Sequence, residues 1–180
     1  MRKLISILIV GLVILVGVGF AAKETLFPMK DKGAIEKYAK EYDVKPELIS
    51  AFINFETRFD PVEYKEGKAC GLMKLTAKTG ENLSKEIGDN NFKAKDIADN
   101  DTNIKLGTYY LSKSVKDGLK ETVGNWAIRN DEEKNDKFDA KEYAKEYFTK
   151  KIELREKIYK ILYFTFFYKK YNKNQKNTLI

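Results

Sequence analysis

The chain has 180 residues, with 34 lysine or arginine residues against 27 aspartate or glutamate residues and a net charge of +7. This length suits one domain with a real core plus a targeting segment. Histidine is absent and Cys70 is the only cysteine, which excludes histidine-base mechanisms, intrachain disulfides and cysteine metal clusters. We therefore expect no metal and no cofactor, and we interpret Cys70 as a small, partly buried apolar residue.

The positive charge is concentrated at the C-terminal end. Residues 150–180 hold nine lysine or arginine residues and two glutamates, whereas residues 23–149 carry a small net negative charge. The body of the chain therefore shows no basic stripe, and we expect no nucleic-acid partner.

The N-terminal segment has the composition of a targeting sequence. Residues 4–22 carry no charge and follow a short positive start at Arg2 and Lys3. This pattern predicts a secretory leader cleaved after Ala21. The apolar run is long for a leader and just long enough to span a bilayer, so an uncleaved N-terminal anchor is the alternative. Both interpretations predict an exported protein.

From residue 31 onward the apolar spacing is helical. Apolar residues recur every three or four positions up to Tyr42, and Val44–Lys45–Pro46 ends this helix and begins a second, largely apolar one that Asp60–Pro61 ends. We see no alternating strand pattern and predict an all-α fold. The remaining predicted helices cover 76–87, 102–117, 120–130 and 139–171, with loops at 60–71 and 89–101.

Glu56 is the residue that the sequence singles out for chemistry. Ile49, Phe52, Ile53 and Glu56 are spaced at i, i+3, i+4 and i+7, which places the carboxyl group on the apolar stripe of the second helix, near its C-terminal end. Apolar neighbours and the negative end of the helix dipole both favour the neutral acid. A glycosidase uses such an acid to protonate a leaving oxygen. The alternative is a glutamate paired with a lysine at the edge of the core.

Three segments resemble, in order and spacing, the soluble lytic transglycosylases, which are relatives of goose-type lysozyme. The first is YAKEYDVKPELISAFINFETRFDP, residues 38–61, where Glu56–Thr57 stands for the family's Glu-Ser. The second, KACGLMKLTAKTG, is similar to the family's Gly-Leu-Met-Gln segment. The third, DIADNDTNIKLGTYYL, is similar to a family helix at the following positions: Asn103, Ile104, Gly107, Tyr110 and Leu111. The resemblance extends from about residue 34 to about residue 129.

The resemblance implies a lysozyme-like helical domain over residues 31–168 with a saccharide-binding groove. The family cleaves the bond between N-acetylmuramic acid and N-acetylglucosamine in peptidoglycan with one glutamate, unlike glycosidases that use two carboxylates. Glu56 would protonate the bridging oxygen and then deprotonate the muramyl 6-hydroxyl, leaving a 1,6-anhydro end. This reaction consumes no water.

The resemblance also implies roles around the acid. The Thr57 hydroxyl would bond near Glu56, or else close the end of the helix. Leu72 and Met73 would line the groove near the scissile bond; a role in the core is the other interpretation, and the two roles do not exclude each other. Lys74 stands where the family has Gln, and it would either lie near Glu56 or point outward.

A second departure concerns the family's Ala-Tyr-Asn-Ala-Gly segment. The best match is Ala127–Ile128–Arg129–Asn130–Asp131, so Ile128 stands where the family has a tyrosine hydroxyl near the acid. Trp126 and Tyr110 are the candidates to compensate. Lys74 and Ile128 favour an alternative function, a catalytically decayed peptidoglycan-binding or envelope-structural protein of the same fold. Hydrolysis by water, as in a lysozyme, is the third possibility.

The C-terminal end has two predicted parts. Residues 159–171 hold seven aromatic side chains, too many to leave in water, so we expect 159–167 to pack on the domain. The alternative is an amphipathic stretch on a membrane. Residues 169–180 form a basic tail whose partner would be an anionic wall polymer or a membrane surface. The glycan strands of peptidoglycan are the expected substrate, and the cell envelope the expected location.

Overall fold

The computed structural model describes residues 23–130, 137–165 and 167, which form an all-α domain as predicted. The described residues contain two isolated β-bridges, Val62 with Gly71 and Cys70 with Leu75, and no strand. The helices, numbered in chain order, are α1 Lys32–Glu41, α2 Pro46–Thr57, α3 Ala77–Glu86, α4 Asn100–Ser112, α5 Leu119–Ala127, α6 Lys137–Tyr147 and α7 Thr149–Tyr159. Two 3-10 helices, Ala94–Ala98 and Val115–Asp117, and a π-helix, Lys160–Phe164, are also present. A further helical turn covers residues 23–26.

Helix α2 lies at the centre of the domain. Pro46 occupies its first turn, where a missing N–H costs nothing, and every residue from Pro46 to Asn54 is buried. Each fully buried large apolar side chain here stabilises the fold by about 1.5–3 kcal/mol. The helix ends because Arg58 and Phe59 both adopt the left-handed conformation, with φ of 53° and 62°. This abrupt end leaves Glu56 in the last turn of α2.

The single long helix predicted over 139–171 is wrong. The chain breaks at Phe148, between α6 and α7, and continues after α7 as the π-helix. The Phe148 ring packs on Phe55 at 5.2 Å. Helix α6 packs on α5 while α7 packs on α2, and one straight helix cannot follow both surfaces. Residues 166 and 168–171 lie outside the described residues.

Two other boundaries differ from the prediction. The helix expected over 102–117 begins at Asn100, because the Asp99 side chain caps it by accepting from the Thr102 N–H at 2.9 Å. It ends at Ser112 and is followed by a 3-10 turn. The segment 89–101, predicted as a loop, contains the 3-10 helix Ala94–Ala98.

The aromatic side chains that the structure describes within 159–167 pack on the domain, as expected. Tyr159 and Phe164 are fully buried. The Tyr159 and Tyr163 hydroxyls donate to the carbonyls of Pro28 (2.9 Å) and Phe27 (2.8 Å), tying the N-terminal segment to the C-terminal helices. Burial raises the pKa of Tyr163 to about 12. The leader and the basic tail lie outside the described residues, and none of the helices in the described part is long and apolar enough to cross a bilayer.

Candidate active site

Glu56 lies largely buried in the last turn of α2. Its side chain is 12 % exposed. Oε1 accepts a hydrogen bond from the Trp126 indole N–H at 2.8 Å and an ion-paired contact from an Arg129 guanidinium nitrogen at 2.9 Å. Both donors come from the C-terminal end of α5, so the packing of α5 beside α2 builds the site.

Two cations lie near Glu56, and the contact with Lys74 is one of the two alternatives that the sequence left open. Besides Arg129, the Lys74 ammonium lies 4.0 Å from Oε2. Lys74 therefore faces the acid and does not point away from it, although its side chain is 40 % exposed. The Glu56 carboxyl group is thus in contact with cations from two separate segments of the chain.

Arg129 is the site residue to which sequence reasoning gave no role. Its side chain is only 8 % exposed, and its guanidinium stacks over the Trp126 ring at 4.2 Å. It also donates to the carbonyls of Met73 and Lys74, both at 3.2 Å. One side chain thus links the acid, the indole and the 73–74 backbone. The only sequence signal for Arg129 was its position in the segment matched to the family's Ala-Tyr-Asn-Ala-Gly.

Asn130, the next residue, fixes the same backbone from another direction. Its amide N–H donates to the Lys74 carbonyl at 2.8 Å, and its amide oxygen accepts from the Thr76 N–H at 3.0 Å. The Thr79 hydroxyl lies 3.1 Å from the same oxygen. The C-terminal end of α5 therefore holds residues 73–76 in place beside the acid.

Asn103, which the resemblance picked out, positions the segment before Lys74. It is fully buried, accepts from the Met73 N–H at 2.7 Å and donates to the carbonyls of Cys70 and Ile97 at 3.1 and 2.8 Å. Gly71, at φ +75°, has no room for a side chain against Asn103. Cys70 itself is fully buried, and burial raises the pKa of its thiol.

Three other predicted site residues make contacts within the fold: Thr57, Leu72 and Met73. The Thr57 hydroxyl contacts the carbonyls of Leu72 (2.8 Å) and Ile53 (3.2 Å), so it closes the helix end and ties it to the Gly-Leu-Met segment. Leu72 and Met73 are fully buried. Their side chains therefore belong to the core, one of the two compatible roles that the sequence left open.

Of the two candidates to replace the tyrosine hydroxyl, Trp126 is the one that bonds Glu56. The Tyr110 hydroxyl donates to the Asn125 carbonyl at 2.9 Å, and its ring packs edge-on against Trp126 at 5.8 Å. Tyr110 therefore supports the indole. Ile128 is the half-buried residue that ends α5.

An open groove runs along α3 and shares Arg129 with this site, although Glu56 is not among the residues that line it. Its volume is about 430 Å³. Its lining is mixed polar, cationic and aromatic, which suits a hydroxyl-rich ligand more than an apolar one. Among the described residues, no group of three or more cysteine, aspartate or glutamate side chains is arranged to hold a metal. The groove is lined by Lys78, Thr79, Asn82, Leu83, Glu86, Tyr110, Lys113, Arg129 and Asn130.

The helical architecture and the enclosed glutamate define a lysozyme-like domain. Residues 33–143 match the family model described as the transglycosylase SLT domain, which is more than half of the chain. The protein therefore belongs to the SLT transglycosylase domain family.

A solved structure with the same fold is an inactive mutant of the lytic transglycosylase Slt from Pseudomonas aeruginosa, with a TM-score of 0.60 and 19 % identity. The match covers 77 % of this chain and 25 % of that one, so the present chain spans about a quarter of its length. At this identity the likeness shows the fold. The comparison with curated proteins finds no match.

Proposed function

We propose that this protein is a peptidoglycan lytic transglycosylase that cleaves between N-acetylmuramic acid and N-acetylglucosamine and leaves 1,6-anhydro ends. Membership of the SLT family supports peptidoglycan as the substrate. The observation that carries the proposal is Glu56, 12 % exposed at the end of a buried helix and held by an indole N–H. The solved relative was inactivated by one glutamate-to-glutamine change, which fits a mechanism that depends on a single glutamate.

The geometry supports Oε2 as the oxygen that carries the proton, because the Trp126 and Arg129 donors both contact Oε1. In the proposed reaction, Oε2 donates its proton to the bridging oxygen and the bond from that oxygen to the muramyl C1 breaks. The muramyl 6-hydroxyl oxygen forms a new bond to C1, and its proton passes to Glu56, which restores the acid. The substrate's 2-acetamido group stabilises the positive charge at C1. The step needs no second carboxylate.

The cations next to Glu56, Arg129 and Lys74, bear on both candidate functions. Once Glu56 has given up its proton, the Arg129 guanidinium at 2.9 Å and Lys74 at 4.0 Å stabilise the carboxylate. The same two cations also give Glu56 the partners of a purely structural ion pair. This observation favours the second candidate function, a glycan-binding protein of the same fold that no longer cleaves.

Product analysis separates the candidate functions. Purified full-length protein is incubated with peptidoglycan, and the soluble products are identified by mass spectrometry. Anhydro ends would establish the transglycosylase, and reducing ends a hydrolytic lysozyme. Protein that binds the polymer without releasing fragments would establish the decayed groove.

The role of Glu56 is tested in the same assay. Glu56→Gln matches the side chain in size but cannot transfer a proton, so we expect cleavage to fall by about 100-fold or more. Glu63→Gln, in the exposed loop after α2, is the matched control and should leave the rate unchanged. Circular dichroism should show both variants folded. Wild-type rates from Glu56→Gln would show that the assignment is wrong.

The location follows from the substrate. Peptidoglycan lies outside the cytoplasmic membrane, so we propose that the protein acts in the cell envelope after export by residues 1–22. The uncharged run of residues 4–22 supports export.

A further inference from the structure

The C-terminal helices expose an apolar stripe that the glycan chemistry does not use. Leu154, Ile158, Ile161 and Leu162 are spaced at i, i+4, i+7 and i+8, and we call them the α7 stripe. Leu154, Ile161 and Leu162 are 59 %, 72 % and 39 % exposed. The opposite side of the same segment is buried in the domain through Tyr159. The segment is therefore apolar on its exposed side as well as on its buried side.

Basic residues surround the α7 stripe. Glu153 pairs with Lys157 at 2.7 Å and Glu156 pairs with Lys45 at 3.1 Å, so the two acidic side chains of α7 are both neutralised. The segment thus presents apolar side chains together with an excess of positive charge. Its lysines are Lys150, Lys151, Lys157 and Lys160. Arg155 instead faces α2, where it donates to Asn54 at 3.0 Å.

The N-terminal segment contacts the buried side of the C-terminal helices. The Lys23 ammonium lies 4.5 Å from the centre of the Tyr163 ring, and the Tyr163 hydroxyl donates to the Phe27 carbonyl. The Tyr163 ring stacks on the buried Tyr159 at 5.8 Å. The uncharged residues 4–22 directly precede Lys23 in the sequence, so an uncleaved anchor there would hold this domain close to a lipid surface.

We propose that the α7 stripe docks on an anionic lipid surface. Its leucine and isoleucine side chains would enter the boundary between head groups and acyl chains, and the lysines around them would contact the phosphates. An anionic wall polymer would satisfy the lysines but offers no apolar phase to the stripe. The docking is independent of the chemistry at Glu56, so either proposal can fail alone.

A fluorophore attached at single cysteines tests the docking on the full-length chain. Ile161→Cys and Leu154→Cys are labelled with an environment-sensitive dye. Val62→Cys, another exposed apolar position at 39 %, is the matched control, and native Cys70 is fully buried and should escape labelling. Vesicles of phosphatidylglycerol and phosphatidylcholine are compared with vesicles of phosphatidylcholine alone. We expect a blue shift at 161 and 154 with anionic vesicles, a smaller one with neutral vesicles, and none at 62.

A charge variant adds a second measurement. Lys150→Gln combined with Lys151→Gln should weaken the response to anionic vesicles and leave the neutral-vesicle response unchanged. Several outcomes would overturn the proposal. A shift without vesicles that rises with protein concentration would mean that a second copy covers the stripe. A concentration-independent shift without vesicles would mean that another segment of this chain does. A shift with isolated wall polymer alone, or no difference between 161 and 62, would also reject lipid docking.

Discussion

The Trp126 indole N–H donates a hydrogen bond to Oε1 of Glu56 across 2.8 Å, although the two residues lie 70 positions apart. The same indole ring is covered by the Arg129 guanidinium, which reaches the same oxygen. The end of α5 therefore supplies both an aromatic donor and a cation to the end of α2. Neither contact follows from the helical pattern around Glu56.

The Trp126 contact predicts a loss of activity when the indole N–H is removed. Trp126→Phe keeps an aromatic ring against Phe52 and Tyr110 but cannot donate to Glu56. A hydrogen bond to a charged group contributes about 1.5–3 kcal/mol, so we expect the cleavage rate to fall by about 10- to 100-fold. Initial rates of fragment release measure this.

Tyr159→Phe is the control for this substitution. It removes the hydrogen bond to the Pro28 carbonyl, away from the site. We expect a stability loss of about 1 kcal/mol with a nearly unchanged cleavage rate. If both variants lost activity in proportion to their melting temperatures, the Trp126 hydrogen bond would have no specific catalytic role.

Gly107 should resist even the smallest side chain. A Cβ at this position in α4 would overlap the Met73 sulfur, which is fully buried. We expect Gly107→Ala to destabilise the domain by about 1–3 kcal/mol through overpacking. Gly33→Ala in α1 has no neighbouring atom within 4 Å and should be neutral or stabilise by up to about 1 kcal/mol. Urea unfolding measures the free energy of unfolding of both variants, and we expect only Gly107→Ala to lower it. Equal changes in the two variants would contradict the close packing of Met73 against Gly107.

Two truncations separate the roles of the C-terminal end. Deleting residues 169–180 should leave thermal stability nearly unchanged but weaken binding to whole cell wall. The loss of binding should be seen at low salt, because at physiological ionic strength the attraction between exposed charges is already screened beyond about 8 Å. Deleting 159–180 also removes the buried Tyr159 and Phe164 and should lower the melting temperature markedly. Equal melting temperatures of the two truncated proteins would refute the packing role of Tyr159 and Phe164. Binding that does not depend on salt would refute the electrostatic role of residues 169–180.

The N-terminal segment carries a prediction that depends on its sequence. We expect export to be followed by cleavage after Ala21, where Gly19 and Ala21 supply small residues. Terminal sequencing of the exported protein measures this directly. A protein found with its N-terminus intact would indicate that residues 4–22 remain as an anchor.

The sequence by itself determined the all-α class, the central position of α2 and the place of Glu56 in its last turn. These features depend on spacing within one helix and on the breakers that follow it, which are local properties. The motif around Asn103 and Gly107 was also visible, and the structure gives its reasons: one holds the 70–73 backbone and the other admits Met73.

The tertiary structure alone decided which groups surround the acid. The roles of Trp126 and Arg129, and the direction of Lys74, arise from the packing of α5 and the 70–75 loop against α2. The break at Phe148 has the same origin, because α6 and α7 follow different partners. Periodicity shows which face of a helix is buried but not which distant residue meets it, since that depends on how separate helices pack.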